Sequence, residues 1–251
     1  MSSPTRLAGV DVPRVGLGTN RLTTAPEHVT FVREAVAAGL RHVDTAHLYT
    51  GGDSEQAVAA ALDGVAEDVL VATKGGYRPG EGRPEVLRAQ VEQSLRALRT
   101  DAIGLYYLHR VDPETPLEES LGELQAHVDR GAIRHVGLSE VTVGQIEAAR
   151  AILPIAAVQN KYNLDDRAHD DVIDHCEREG IAFVPYYPLR GDGGPGVRAT
   201  AERLGVTENQ VKLAWLLRRS PAVLPIPGTL SIGHLRENLA ALDLDLGDAQ
   251  L

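Results

Sequence analysis

The chain has 251 residues, of which 43% are hydrophobic, so it is long enough to bury a large core as one barrel-sized domain. Its formal net charge of −10 argues against a nucleic-acid surface, which normally carries a basic patch or stripe. No apolar signal core follows Met1, and no apolar run approaches the roughly 20 residues that span a bilayer. We therefore expect a cytoplasmic protein with neither nucleic-acid nor membrane partners.

Short apolar runs alternate with amphipathic stretches, a pattern typical of repeated strand–helix units around a parallel sheet. Eight runs recur at a spacing of about 30 residues, which predicts a closed (β/α)8 TIM barrel. They are residues 15–17, 40–44, 69–73, 103–108, 133–138, 155–159, 181–186 and 222–226. The preceding segment RLAGVDVPRVG turns at Gly9 and predicts a short N-terminal β-hairpin at the barrel floor. We therefore expect an α/β fold, with one domain spanning residues 1–251.

Between the predicted strands, leucine and valine recur at every third or fourth position over residues 87–98 and 117–128. This 3.6-residue period predicts two helices that each bury one face. Pro84 suits the first turn of the first helix, and Thr207 predicts a cap for a later helix that carries Trp215. These apolar residues are therefore predicted to be core.

Three successive predicted strands end in a titratable residue. Asp44 lies in HVDTAHLY, Lys74 ends VLVATK, and His109 lies in IGLYYLHR. Tyr49 follows Asp44 by five residues on the next loop. Because the loops at the carboxyl ends of barrel strands converge on one mouth, we expect these four side chains to meet there.

These four residue types suit the reduction of a carbonyl by a nicotinamide, which needs a hydride donor at carbon and a proton donor at oxygen. A tyrosine has an ordinary pKa near 10, and a cation that stabilises the phenolate brings that pKa closer to the working pH. We assign the proton donor to Tyr49 and the cation to Lys74, held by Asp44. His109 is expected to hydrogen-bond the carbonyl oxygen. Taken singly, each residue also fits an ordinary role as a helix cap, a packing residue or a rim charge.

At these residues the chain resembles the aldo-keto reductase family, which has Asp-Thr-Ala, then Tyr, then a strand-ending Lys and a strand-ending His in this order. Further resemblance lies in GVDVPRVGLGT, VGLSE, VQNKYNL, PYYPLR and IPGTLSIGHLREN, so the resemblance extends along the whole chain. The resemblance implies an enzyme that reduces an aldehyde or ketone to an alcohol with NADPH. It also implies catalytic roles for Asp44, Tyr49, Lys74 and His109.

The same resemblance implies cofactor contacts position by position. Ser139 and Gln159 match residues that hold the nicotinamide carboxamide, and Tyr186 matches the aromatic residue on which the ring stacks. The other implied contacts are Gly18 and Thr19 in the loop near the cofactor, Leu189 and Gly191 over the pyrophosphate, Thr229 and Ser231 at the adenosine phosphate, and Glu237 and Asn238 at the adenine. An ordinary surface helix with a capped N-terminus explains Thr229 and Ser231 equally well.

The chain departs from the family pattern at three places. Gly228 and His234 stand where many relatives have a lysine and an arginine, so NADH remains an alternative to NADPH. Glu140 replaces a usual asparagine and, when ionised, accepts a hydrogen bond from the carboxamide but cannot donate one. Only 13 residues follow Asn238, whereas longer relatives fold a tail across the pocket. An open mouth and loose substrate selection are therefore expected.

Parts of the sequence also suggest three other functions. The glycines of segment 191–196 match G-x-G-x-x-G, but this segment is separated from its strand and interrupted by Pro195, which argues against a Rossmann site. A metal-dependent barrel hydrolase would use His42, Asp44 and His109 as metal ligands. No typical metal-ligand spacing in the sequence supports this function, and the positively charged Lys74 would lie beside the ion. A cofactor-sensing subunit of a larger assembly would keep the same residues but turn over little carbonyl. No metal site is predicted, and the oligomeric state stays open.

Overall fold

The computed structural model describes residues 5–66 and 68–247. The strands are β1 Thr5–Leu7, β2 Val10–Val12, β3 Leu17–Gly18, β4 His42–Asp44, β5 Leu70–Gly75, β6 Ile103–Leu108, β7 Ile133–Ser139, β8 Ile155–Gln159 and β9 Ala182–Phe183. The helices are α1 Pro26–Ala37, α2 Asp53–Leu62, α3 Pro84–Leu98, α4 Leu117–Asp129, α5 Val143–Arg150, α6 Asp170–Glu179, α7 Gly194–Leu204, α8 Glu208–Arg219 and α9 Ile232–Ala240. Short 3₁₀ turns lie at Tyr49–Gly52 and Ala241–Asp243.

Strands β3 to β9 form one parallel sheet in chain order, which is the order that successive strand–helix units produce. Two predicted strands, 103–108 and 155–159, coincide with β6 and β8. The predicted strand 181–186 is longer than the observed β9, which has two residues. The sheet curls so that its carboxyl ends face one side of the molecule, and the (β/α)8 barrel predicted from the alternation is confirmed.

The eighth predicted strand, residues 222–226, is not a regular strand, and this part of the prediction was wrong. Residues 222–228, the barrel-closing segment, instead make single parallel bridges to β9 through Val223 and to β3 through Gly228, which closes the barrel. The backbone N–H of Leu224 donates to β9 at 2.8 Å. The Pro225 carbonyl accepts from the backbone N–H of Gly16, just before β3, at 2.9 Å, and the Pro227 carbonyl accepts from Gly18 of β3 at 3.3 Å. Because proline has no N–H, these residues accept from β3 but cannot donate back, so no full ladder forms.

The N-terminal hairpin consists of β1 and β2, which pair antiparallel across a two-residue turn. Ala8 and Gly9 occupy that turn with positive φ angles of 47° and 82°, as a tight hairpin turn requires. Leu7 and Val12 are buried and pack with interior side chains of β5, β6 and β8. The predicted hairpin at the barrel floor is therefore confirmed.

The helices lie outside the sheet and bury the faces that their periodicity predicts. Leu87 and Val91 of α3 are fully buried, and Pro84 lies in the first turn of that helix. The predicted cap Thr207 begins α8 through a capping box with Gln210, in which each side chain bonds the other residue's backbone N–H. Within the two described ranges, no helix has both the length and the apolar character needed to cross a membrane.

Candidate active site

A cavity of about 700 Å³ opens at the carboxyl ends of the strands. Among the residues that line it are ten of the predicted site residues: Gly18, Thr19, Asp44, Tyr49, His109, Ser139, Gln159, Tyr186, Leu189 and Gly228. They come from segments far apart in the sequence and meet because every strand of the sheet ends at this side. The cavity therefore brings together more than half of the predicted site residues.

A buried ion pair lies at the base of the cavity. Asp44 pairs with Ala72 in the register of β4 and β5, and Lys74 lies two residues further along the same face of β5. The Lys74 ammonium is 2.5 Å from the Asp44 carboxylate, and the two side chains are 0% and 1% exposed. Lys74 also donates to the Thr45 carbonyl at 2.7 Å, and the Gln159 amide donates to the other Asp44 oxygen at 2.8 Å.

Lys74 stays charged in this site although it is fully buried. Burial lowers its pKa, but the charges of Asp44 and Tyr49 and hydrogen bonds to them outweigh burial, so the pKa lies above its ordinary value. The ammonium is therefore a fixed positive charge beneath the cavity floor.

Tyr49 begins the short turn after β4 and faces this ammonium. The Lys74 nitrogen lies 5.0 Å from the centroid of the Tyr49 ring. The next residue, Thr50, has a positive φ of 49°, and its hydroxyl donates to the Leu22 carbonyl at 2.7 Å, which anchors the turn. Burial raises the Tyr49 pKa more than Lys74 lowers it. Lys74 thus acts in the predicted direction, but the net shift is upward and the phenol keeps its proton at neutral pH.

His109 lies beside Tyr49, with the two ring centroids 6.2 Å apart in an edge-to-face arrangement. Burial lowers the His109 pKa to about 2, with further lowering by the charges of Lys74 and Arg110. The imidazole is therefore neutral at physiological pH, and its Nδ1 atom is buried without a hydrogen-bond partner among the described residues. A neutral ring can hydrogen-bond a carbonyl oxygen but is not an acid at this pH.

Glu140 does not contribute to the cavity lining. Its carboxylate accepts from the backbone N–H of Lys161 at 2.7 Å, which ties the loop after β7 to the loop after β8. Its backbone has a φ of 56°, an uncommon conformation for a residue with a side chain. The neighbouring Ser139 does line the cavity, and its hydroxyl accepts from the Arg110 guanidinium at 3.1 Å.

The other predicted site residues outside the lining are Lys74, Gly191, Thr229, Ser231, His234, Glu237 and Asn238. Lys74 lies beneath the cavity floor, where it pairs with Asp44. Ser231 caps α9 by accepting from the His234 backbone N–H at 3.4 Å, and its own N–H donates to the Thr229 hydroxyl at 3.0 Å. The structure thus shows the capped helix that the sequence also allowed, next to the cavity residue Gly228.

Several lining residues were missed by the sequence interpretation. Arg21, Leu48, Tyr77 and Arg110 all contribute to the cavity. Arg110 directly follows His109 in sequence, Tyr77 follows Lys74 by three positions, and Leu48 precedes Tyr49. Proximity in sequence to a predicted catalytic residue was the signal that could have identified these three, whereas Arg21 lies two positions after the predicted cofactor contact Thr19.

Within the described ranges, the residues that a metal-dependent hydrolase would use do not form a metal site. Among the described residues, no group of three or more His, Cys, Asp or Glu side chains is arranged to hold an ion. His42 is fully buried, its two ring nitrogens have no described partner, and burial lowers its pKa to about 4. The segment 191–196 lies well beyond the end of β9 and leads into α7, so it does not form the tight strand-to-helix turn of a Rossmann site.

The sequence and the fold both match known proteins. A family profile described as "Aldo/keto reductase family" matches residues 14–194. Pyridoxine 4-dehydrogenase of Escherichia coli (strain K12) is 38% identical over 277 aligned positions, covering 100% of this chain and 97% of that protein.

Two solved structures are also similar. The thermostable aldo-keto reductase Tm1743, in complex with the inhibitor epalrestat, has a TM-score of 0.89 and 31% identity, covering 98% of this chain and 96% of that one. An aldo-keto reductase from Klebsiella pneumoniae in complex with NADPH has a TM-score of 0.89 and 29% identity, covering 99% and 92%. Because the profile covers well over half of the chain and a relative more than 30% identical spans its length, this chain belongs to the aldo/keto reductase family.

Proposed function

We propose that the protein reduces an aldehyde or ketone to the corresponding alcohol, using NADPH, with NADH as the second candidate. One observation carries this proposal: a buried Lys74–Asp44 ion pair, Tyr49 and His109 lie together at one cavity. Membership of the aldo/keto reductase family supports the reaction class. The similar Klebsiella pneumoniae protein was solved with NADPH, which supports the choice of cofactor.

The cavity lining suits a dinucleotide in its polar groups and its charge. Arg21 and Arg190 line it, and neither has an ion-pair partner within the described ranges, so both are free to face phosphates. Tyr186 offers an aromatic face, and Ser139 and Gln159 offer hydrogen-bonding groups for an amide. When bound, the nicotinamide supplies the hydride that the carbonyl carbon accepts.

The structure favours Tyr49 over His109 as the proton donor. With a pKa of about 2, His109 carries no extra proton at neutral pH, whereas the raised pKa of Tyr49 keeps its phenolic proton in place. We assign to Tyr49 the transfer of that proton to the carbonyl oxygen. Lys74 then stabilises the phenolate that remains, while Asp44 holds the ammonium. His109 positions the carbonyl oxygen by a hydrogen bond.

The test is to follow the oxidation of NADPH and NADH at 340 nm with a panel of aromatic aldehydes, sugars, diketones and steroids. Tyr49→Phe should lower kcat by about 100- to 10,000-fold, the usual contribution of positioned proton transfer, and leave cofactor affinity nearly unchanged. Tyr106→Phe is a matched control, because Tyr106 is buried outside the cavity and its hydroxyl has no described partner.

Two outcomes would contradict the proposal. Near-normal turnover by the Tyr49→Phe variant would remove Tyr49 from the proton-transfer role. Tight NADPH binding without turnover of any carbonyl would instead favour a cofactor-sensing subunit.

A further inference from the structure

The mouth of the cavity exposes apolar and aromatic surface. Leu48, Tyr77 and Tyr187 are 39%, 44% and 42% exposed, and all three line the cavity. Such side chains usually lose this surface to a ligand when they face a concave site. The mouth therefore suits an aromatic or similarly flat apolar group.

Arg110 lies on this side of the cavity, between His109 and Ser139. Its Nη1 atom donates to the His109 carbonyl at 2.6 Å and to the Ser139 hydroxyl at 3.1 Å. These two bonds fix the guanidinium plane. Among the described residues, its Nε and Nη2 atoms make no hydrogen bond and no carboxylate lies within ion-pairing distance of it. One planar edge with two N–H donors is left, which matches the geometry of a carboxylate.

The position of Arg110 relative to the catalytic residues is that of a substrate contact. Its guanidinium is 5.2 Å from the Tyr77 ring centroid, and Tyr77 is 4.8 Å from the His109 ring. Its charge contributes to the lowered pKa of His109, so the two side chains are close electrostatically as well. A carbonyl at Tyr49 and His109 would thus have Arg110 and Tyr77 along the same wall.

The charge of the lining points to an anionic ligand. Among the residues that the structure describes, three arginines line the cavity, and the one carboxylate in the lining, Asp44, is neutralised by Lys74. Arg21 donates to the Gly228 carbonyl at 3.2 Å, on the wall formed by the barrel-closing segment. Arg190 stacks on Tyr187 at 4.0 Å, in the segment that we assign to the cofactor. Arg110 is the cavity arginine that directly follows His109, which makes it the cation nearest in sequence to the carbonyl-positioning residue.

We propose that Arg110 binds a carboxylate of the substrate, and that the substrate is an aromatic aldehyde or ketone that carries this carboxylate. The aromatic ring lies against Tyr77, the carbonyl reaches Tyr49 and His109, and the carboxylate receives the Nε and Nη2 donors of Arg110. This inference rests on the proposed carbonyl reduction and specifies its substrate class.

The test compares 4-carboxybenzaldehyde with its methyl ester, methyl 4-formylbenzoate, which has the same ring and carbonyl but no charge. Arg110→Met should raise KM for the acid by about 10- to 100-fold, the effect of losing hydrogen bonds to a charged group, and change KM for the ester less than about 3-fold. Arg110→Lys keeps the charge without the planar fork and should give an intermediate loss. Arg190→Gln removes another cavity charge, in the segment assigned to the cofactor. It should weaken cofactor binding but change KM for the acid and for the ester by the same factor.

Equal effects of Arg110→Met on acid and ester, or no effect on either, would overturn the inference. So would a similar discrimination by Arg190→Gln, because a general field would then explain the preference. Binding of the alcohol 4-(hydroxymethyl)benzoate to the NADP-loaded protein, measured by calorimetry, keeps the test independent of turnover. If neither aldehyde is reduced but this alcohol binds in an Arg110-dependent way, the proposed reaction fails and the carboxylate site stands. If the alcohol does not bind, the carboxylate site fails.

Discussion

The buried ion pair gives a prediction for stability that does not depend on catalysis. Replacing Lys74 by Met leaves the Asp44 carboxylate, which is 1% exposed, with the Gln159 amide as its remaining side-chain partner in the described structure. Breaking a buried ion pair from one side costs about 3–5 kcal/mol, because the other charge stays buried and uncompensated. For a chain of this length, that loss corresponds to a decrease in Tm of about 6–20 °C.

The assay is urea unfolding at pH 7, followed by both circular dichroism and tryptophan fluorescence, so that coincident transitions confirm a single step. Lys161→Met is the control, because Lys161 also pairs with an aspartate, Asp166 at 2.7 Å, but the two side chains are 39% and 31% exposed. An exposed pair contributes at most about 1 kcal/mol, so this variant should unfold close to the wild type.

A double-mutant cycle isolates the interaction. Asp44→Asn alone leaves the Lys74 ammonium buried without its anion, whereas the double variant removes both charges. The double variant should therefore be less destabilised than the sum of the two single variants, by about 0.5–3 kcal/mol. If the free energy of unfolding of Lys74→Met lies within about 1 kcal/mol of the wild-type value, or if the two changes are simply additive, then Asp44 and Lys74 do not interact as a buried ion pair.

Two further predictions concern stability alone. Burial lowers the pKa of His42 to about 4, so His42 binds a proton at a lower pH in the native protein than in the unfolded chain. The native state is therefore destabilised as the pH falls from about 6.5 towards 4. His42→Leu should remove about 2 kcal/mol of the loss between pH 7 and pH 5, measured by urea unfolding at both pH values, and equal losses in variant and wild type would contradict this. Gly137→Ala should destabilise the protein by about 1–3 kcal/mol, because an added methyl would lie 2.5 Å from the Tyr107 ring. Gly122→Ala in α4, where a methyl meets nothing, should stabilise it by up to about 1 kcal/mol, and the reverse order of Tm values would refute the packing argument.

Some features were predictable because they depend on local pattern. Strands β6 and β8 coincide with their predicted bounds, since each is an apolar run enclosed by helical stretches. The α8 cap followed from Thr207, because capping uses side-chain and backbone groups within a few residues. The meeting of Asp44, Tyr49 and His109 at one cavity was predictable once parallel strands were expected, since such strands end at one side of the barrel.

Other features depend on groups that are distant in sequence. The barrel-closing segment does not form a regular strand, because Pro225 and Pro227 face β3 and have no N–H to donate to it. The apolar pattern alone does not show which neighbouring strand these prolines face. The net direction of the Tyr49 pKa shift required knowing that burial outweighs the charge of Lys74.

The residue sequence by itself determined the barrel, its floor hairpin and the strand-end residues, because periodicity and turn chemistry are local and repeat along the chain. Tertiary structure alone decided which polar groups are free. In the folded chain, the Glu140 carboxylate accepts a hydrogen bond from the Lys161 backbone, whereas one edge of the Arg110 guanidinium stays open beside His109. The physical reason is that hydrogen-bond partners and burial are set by the packing of loops from different strands, and no local pattern specifies which of those loops will meet.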